Sequence, residues 1–304
     1  DLDPAAPYTY LVDDILVTTT EDAGPGPDPD VVPGGAVNPT TTPTTLAQGT
    51  GNVAALTFDD GPNVDDTPEL LDFLAEKDIK AVFCVIGQNI EAPGGATLLR
   101  RIVAEGHTLC NHTTGYADMG SWSAAQIRDD LVENLRIIRE ALGDPNAKVP
   151  FFRAPNGSWG ATPAVAVSLG MQPLAVINTI NDWETQDQAT LETNLRAAIK
   201  PGEIVLVHDG GGSRAGSVAA VKTVVQERLD DGWTFTLPVG TPPPGGQVAL
   251  STDFEEGLDG WEPRAAEGGA PVVEIVTDPV HGGAQAATVT QRPEEGAGIR
   301  HDVT

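Results

Sequence analysis

Apolar residues fall along this chain in short runs that each end in polar positions: 53–58, 81–86, 108–110, 149–152, 174–177, 203–207 and 234–237. The runs lack the strict alternation of a strand with one wet face, so they suit strands buried on both sides of a parallel sheet. Between them the period changes to that of helices. The clearest helix spans 123–142, where Ser123 and Gln126 form a capping box. Ile127, Leu131, Leu135, Ile138 and Leu142 then follow on one face. Further helices are expected to start near Thr67, Ala96, Thr162, Ala189 and Ser217. Seven strands alternating with helices imply an α/β fold, either a barrel or a doubly wound sheet. In both, functional side chains gather at the C-terminal ends of the strands.

Residues 51–240 carry this pattern. Before them, 21–50 is rich in Pro, Gly, Thr and Asp and holds few large apolar side chains, so a semi-extended linker is expected there. A second linker is expected at 241–248. The opening DLDPAAPYTYLVDD shows no secretory leader and is expected to be the interior of a longer precursor. The net charge of −27 argues against nucleic acid or an anionic membrane surface as partner. No apolar run reaches the roughly 20 residues of a membrane span. A monomer is expected. Cys84 and Cys110 lie near the ends of consecutive strands. Two buried free thiols are the expected state, with a disulfide as the alternative in an oxidising compartment.

The strand ends hold the chemistry. They read TFDDGP (57–62), NHT (111–113), RAPNGSW (153–159), NDW (181–183) and LVHDGGG (206–212). Any one of these would pass as a solvated turn or a core histidine, but together they set Asp, Asp, His, Arg, Asp and His at the tops of successive strands. The ordered set resembles the motifs of carbohydrate esterase family 4, the NodB-homology polysaccharide deacetylases, over about 50–240.

That resemblance implies a distorted (β/α) barrel of about seven parallel strands, and removal of acetyl groups from a polysaccharide with one divalent metal, zinc or cobalt. Acetyl hydrolysis needs an activated water, a polarised carbonyl and an acid for the leaving group, which fits a metal held by oxygen and nitrogen. By resemblance Asp60 and His112 hold the metal, and Asp59 is the base, kept ionised by Arg153. His208 is the acid, oriented by Asp182. The backbone N–H of Asn156 is an oxyanion donor, and Trp159 and Trp183 either wall the sugar groove or simply pack.

One departure stands out. The family's second motif carries another histidine four residues after the first, and here that position is Tyr116. Tyr116 as phenolate, Asp118 or water would complete the site. A barrel that binds polysaccharide without turning it over therefore stays open.

The flanks add a substrate expectation. Residues 249–304, with FEEGLDGW, an alternating strand at 272–276, DPVHGG and AATVT, resemble the start of a β-sandwich carbohydrate-binding module of the xylan-binding type (family 22, with related families 4 and 9). Residues 1–20 resemble the last strand of a preceding module. Neither partial β-sandwich fragment closes a sandwich alone, so the two are expected to be poorly ordered or to pair with each other. Such modules imply acetylated xylan as substrate and a secreted protein. Chitin oligomers or peptidoglycan are the alternative substrates.

Overall fold

The structure is a computed structural model that describes residues 31–242 and, beyond them, only the strands at 10–12, 262–264, 272–276, 286–290 and 298–300. In chain order, β1 (Tyr10–Val12) comes first. It is followed by β2 (Val53–Gly61), α1 (Thr67–Glu76), β3 (Val82–Val85), α2 (Gly87–Glu91), α3 (Gly95–Ala104), β4 (Thr108–Asn111) and α4 (Ala124–Leu142). Next come β5 (Phe151–Phe152), α5 (Thr162–Ser168), β6 (Gln172–Pro173), α6 (Gln188–Ala198), β7 (Glu203–His208), α7 (Ala215–Asp230) and β8 (Thr234–Phe235). The strands β9 (Glu262–Arg264), β10 (Val272–Val276), β11 (Ala286–Thr290) and β12 (Gly298–Arg300) end the order.

The central sheet has seven parallel strands in the order β6-β5-β4-β3-β2-β7, with β8 beside β2. Its two faces settle the choice left open above. Ala54, Leu56 and Phe58 point into the main core, which contains the buried residues of the helices. Val53 and Ala55 point the other way, into a small core with Val82, Cys84, Cys110, Phe151 and Ile204 that contains no helical residue. A doubly wound sheet would carry helices on both faces. Helices on one face and strand side chains on the other make the curled sheet of a barrel.

Helix α4 forms as its spacing predicts. Ser123 Oγ accepts from Gln126 N, and Gln126 Oε1 accepts from Ser123 N. Gly143, in the left-handed region at φ 68, closes its C-terminus. Ile127, Leu131, Leu135 and Ile138 are buried.

Three expectations need correction. The run at 174–177 does not form the fifth strand. That strand is Gln172–Pro173, and Leu174 instead pairs with Thr44. Residues 31–48, expected as linker, lie packed against the sheet. Thr44 pairs with Leu174 and Leu46 with Glu203, so this stretch fills the gap between edge strands β6 and β7, helped by a bridge between Thr179 and Leu206. An open barrel leaves unpaired main-chain groups at that gap, and this segment satisfies them. Lastly, Cys84 and Cys110 are not free. They are directly paired across β3 and β4, fully buried, and joined in a disulfide. Parallel register puts both side chains on the same face at the same level, which strand position alone did not reveal.

In the terminal unit, β1 and β10 both pair antiparallel with β11, and β9 pairs with β12. The strand expected at 272–276 is β10, and the AATVT segment is β11. The sandwich-module and 1–20 expectations otherwise lie outside the described residues, as does the 241–248 linker beyond residue 242.

Candidate active site

Adjacent strand residues point to opposite faces, so Asp59 and Asp60 should diverge. They do not, because the β2–β3 register slips between Asp59 and Gly61 and Asp60 adopts φ 71. Two residues of β2 then oppose one of β3, as in a bulge, and a short acidic residue tolerates the left-handed conformation. Both carboxylates consequently reach His112, which follows β4. His112 Nε2 lies 3.3 Å from Asp60 Oδ1 and 3.7 Å from Asp59 Oδ2.

The other nitrogen of His112 fixes its tautomer. Nδ1 is 2.7 Å from the carbonyl oxygen of Arg153, which can only accept, so Nδ1 carries the proton and Nε2 presents a lone pair to the carboxylates. An imidazole lone pair beside a carboxylate is a donor set suited to a divalent ion. Burial would lower the His112 pKa, yet Asp59 and Asp60 outweigh it and the net shift is upward. Burial would raise that of Asp60, but His112, with help from His208 and Arg214, brings it down.

Arg153, after β5, is fully buried. Its Nη1 donates to Asp59 Oδ1 at 2.6 Å and its Nη2 to Thr57 Oγ1 at 2.9 Å. Thr57 in turn donates to Val205 O at 2.7 Å. Asp59 is directly paired with His208 across β2 and β7, so the two share one face of adjacent strands. His208 Nδ1 donates to Asp182 Oδ1 at 2.7 Å. The other oxygen of Asp182 accepts from His208 N at 2.9 Å and from Ser217 Oγ at 2.8 Å. Burial opposes charge on both members, but their mutual attraction prevails: the His208 pKa rises and the Asp182 pKa falls.

Tyr116 sits beside this group without replacing the missing nitrogen. Asn89 Nδ2 donates to Asp60 O at 2.7 Å and to Tyr116 Oη at 2.9 Å. Burial raises the Tyr116 pKa, which favours a neutral phenol over the phenolate considered above. Asp118 accepts from Ser158 Oγ. Among the described residues no group of three or more His, Cys, Asp and Glu is arranged to hold a metal ion, and beyond Asp59 no further such side chain stands with Asp60 and His112.

The remaining candidates divide. Trp183 is 52% exposed and meets the His208 ring edge-on at 5.7 Å. Trp159 is half-buried and packs edge-on against Phe152. Asn156 is exposed on a 3-10 turn at φ 57. His107, outside the site, is structural: its Nδ1 accepts from Ala81 N, and burial lowers its pKa to about 4.

Sequence reasoning missed several participants. Thr57 and Asp209 stand inside quoted motifs but were given no role. Asp209 is fully buried, accepts from Thr67 Oγ1 at 2.6 Å, and is raised to about 7 by burial and by the charges of Asp60 and Asp59. Asn89, Arg214 and Ser217 lie outside the motifs, and no local signal marks them.

The family model for polysaccharide deacetylase matches residues 47–174. A chitooligosaccharide deacetylase of Bradyrhizobium sp. (strain ANU 289) is 38% identical over 158 residues, 51% of this chain and 69% of that protein. A bifunctional xylanase/deacetylase of Pseudobutyrivibrio xylanivorans is 33% identical over 182 residues, 60% of this chain and 29% of that protein. Among solved structures, a family 4 acetyl xylan esterase from Clostridium thermocellum, in complex with a cobalt ion, aligns with a TM-score of 0.54 at 28% identity. That alignment covers 61% of this chain and 87% of the esterase.

Proposed function

The chain belongs to the polysaccharide deacetylase family, hydrolases acting on acetyl groups of polysaccharides, and from that premise we propose that it deacetylates xylan with Asp59 as base and His208 as acid. The observation that carries the base and acid roles is the direct pairing of Asp59 with His208 across adjacent strands, each charge-matched by its own buried partner, while xylan is supported by the likeness to a bifunctional xylanase/deacetylase.

Asp60 and His112 would hold a divalent ion, zinc or cobalt. When bound, such an ion polarises the acetyl carbonyl and lowers the pKa of water to about 7. The chain's own residues do the rest. Arg153 occupies Oδ1 of Asp59 and leaves Oδ2 to take the proton of the attacking water. The backbone N–H of Asn156 is offered to the oxyanion. Asp182 binds His208 Nδ1–H, so Nε2 carries the proton delivered to the departing sugar oxygen. Exposed Trp183 stands beside His208 as a wall on which a sugar ring can lie. The buried disulfide suits a secreted protein, since such bonds persist in oxidising compartments.

A second reading takes N-acetylated chitin oligomers as substrate and is favoured by the 38% identity to a chitooligosaccharide deacetylase. Acetate release from acetylated xylan and from chitin oligomers, each with and without chelator, separates the two. Chelator-sensitive release from xylan is expected. Release from the N-acetylated substrate alone would move the assignment to the second reading. Polysaccharide binding without release from either, in metal-supplemented protein, would refute catalysis.

A further inference from the structure

Arg214 precedes α7 and is only 6% exposed. Its guanidinium spans two loops. Nε donates to Gly210 O at 2.6 Å and Nη2 to Gly211 O at 3.1 Å, both in the loop that follows His208. Nη1 donates to Asp182 O at 2.6 Å, in the loop that follows β6. Its own N–H donates to Asp66 Oδ2 at 2.6 Å, which ties the residue to the start of α1. A planar fork with fixed donor directions sets the separation of the groups it binds more tightly than a flexible ammonium does.

Those carbonyls belong to the site itself. Asp182 orients His208, and Gly210 comes two residues after it. The same loop also packs closely against Asp60. A Cβ on Gly210 would lie 2.0 Å from Asp60 O, and one on Gly211 would lie 2.5 Å from Asp60 Oδ2. Arg214 therefore grips the main chain on both sides of the His208–Asp182 pair, along a loop seated against Asp60.

We propose that Arg214 is a positioning residue for the acid step, holding the Asp182 loop and the His208 loop at the spacing that aims His208 at the leaving group. This rests on the assignment of His208 as the acid. A mispositioned acid affects substrates unequally. An alkoxide leaving from a sugar needs a proton, whereas the phenolate leaving from 4-nitrophenyl acetate does not.

The test compares kcat/KM on the acetylated glycan with that on 4-nitrophenyl acetate for wild type, Arg214→Met, Arg214→Lys and His208→Ala, with metal content and thermal unfolding recorded for each. General acids contribute roughly 10²–10⁴-fold, so Arg214→Met is expected to lower the glycan-to-aryl ratio by about tenfold or more, through kcat rather than KM. Arg214→Lys, which keeps the charge but not the fork, is expected to fall between Met and wild type. Should Arg214→Met fail to fold, the Lys variant is judged by the same ratio and is expected to lower it about threefold. An unchanged ratio, or equal losses on both substrates, in a folded variant overturns the proposal provided His208→Ala lowers the ratio. If His208→Ala itself leaves the ratio unchanged, it is the acid assignment that fails.

Discussion

Replacing Arg153 by Met isolates the ion pair at the centre of the site. Asp59 is 2% exposed and Arg153 is fully buried, with 2.6 Å between Oδ1 and Nη1. Met keeps most of the volume and leaves the main-chain bonds in place: Arg153 N to Asn111 O, and the carbonyl that receives His112 Nδ1. What disappears is the guanidinium, with its bonds to Asp59 and Thr57. Breaking a buried pair from one side typically costs about 3–5 kcal/mol, because the surviving charge stays desolvated. With a urea slope of roughly 2–3 kcal/mol per molar, the unfolding midpoint should fall by about 1–2.5 M. The measurement belongs in chelator, so that bound metal does not add its own stabilisation. The Asp59→Asn/Arg153→Met double variant completes the cycle. If the loss comes from a stranded charge, the double variant should be more stable than Arg153→Met alone, with a coupling of about 1–3 kcal/mol. Additive losses, or an Arg153→Met midpoint within error of wild type, would refute the view that this pair is mutually dependent.

Asp182→Asn removes the anion that raises the His208 pKa, so the basic limb of kcat/KM should move to lower pH by about one unit or more. The linked stability has the same sign. A raised folded-state pKa gives His208 a contribution present below its unfolded value of about 6.5 and lost as pH rises through the folded value; a flat difference between wild type and variant from pH 5 to 9 would contradict it. Tyr116→His should tighten metal binding by about tenfold or more in chelator competition, since a second nitrogen joins Asp60 and His112 as third ligand; unchanged affinity would show that this position does not face the ion. Cys84→Ser/Cys110→Ser opens a loop of 26 residues and should cost roughly 3–4 kcal/mol in chemical unfolding, and a loss below about 1 kcal/mol would mean the strands are held without it.

The strand-end motifs were legible because each depends on local pattern: an apolar run, a polar stop and the next helix. Asp59, His112, Arg153 and His208 stand at strand ends that this pattern locates, whereas Asp182 follows a run at 174–177 that forms no strand; the roles of all five came from the resemblance to a known family, and parallel topology gathers them. What sequence could not supply is geometry that local pattern does not encode. The pair Asp59-Asp60 is visible as two letters, but only the slipped register and the positive φ of Asp60 turn both carboxylates to one side. The disulfide needs the alignment of β3 with β4 at Cys84 and Cys110, not merely two cysteines near strand ends. Composition also misled at 31–48, where a Pro- and Thr-rich stretch reads as linker yet its main chain completes the gap between β6 and β7. A segment with little to bury can still be ordered when a sheet edge offers it hydrogen bonds.

The unread residues have one property in common: each acts through a partner far along the chain. Thr57 joins Val205 to Arg153, Asp66 receives the N–H of Arg214, and Arg214 reaches back to Asp182. Asn89 links Asp60 to Tyr116 in the same way. These groups do no chemistry themselves. They fix the positions of groups that do, within a barrel whose strands β6 and β7 are not directly paired. A closed ring of strands would hold the loop of Asp182 and the loop of His208 by main-chain ladders alone. Here those ladders are interrupted between the two, with Thr179 and Leu206 as an isolated bridge, and the guanidinium of Arg214 spans the same two loops above it. The open side of the barrel thus gives a physical reason for a buried arginine that bridges these two loops by their main-chain carbonyls.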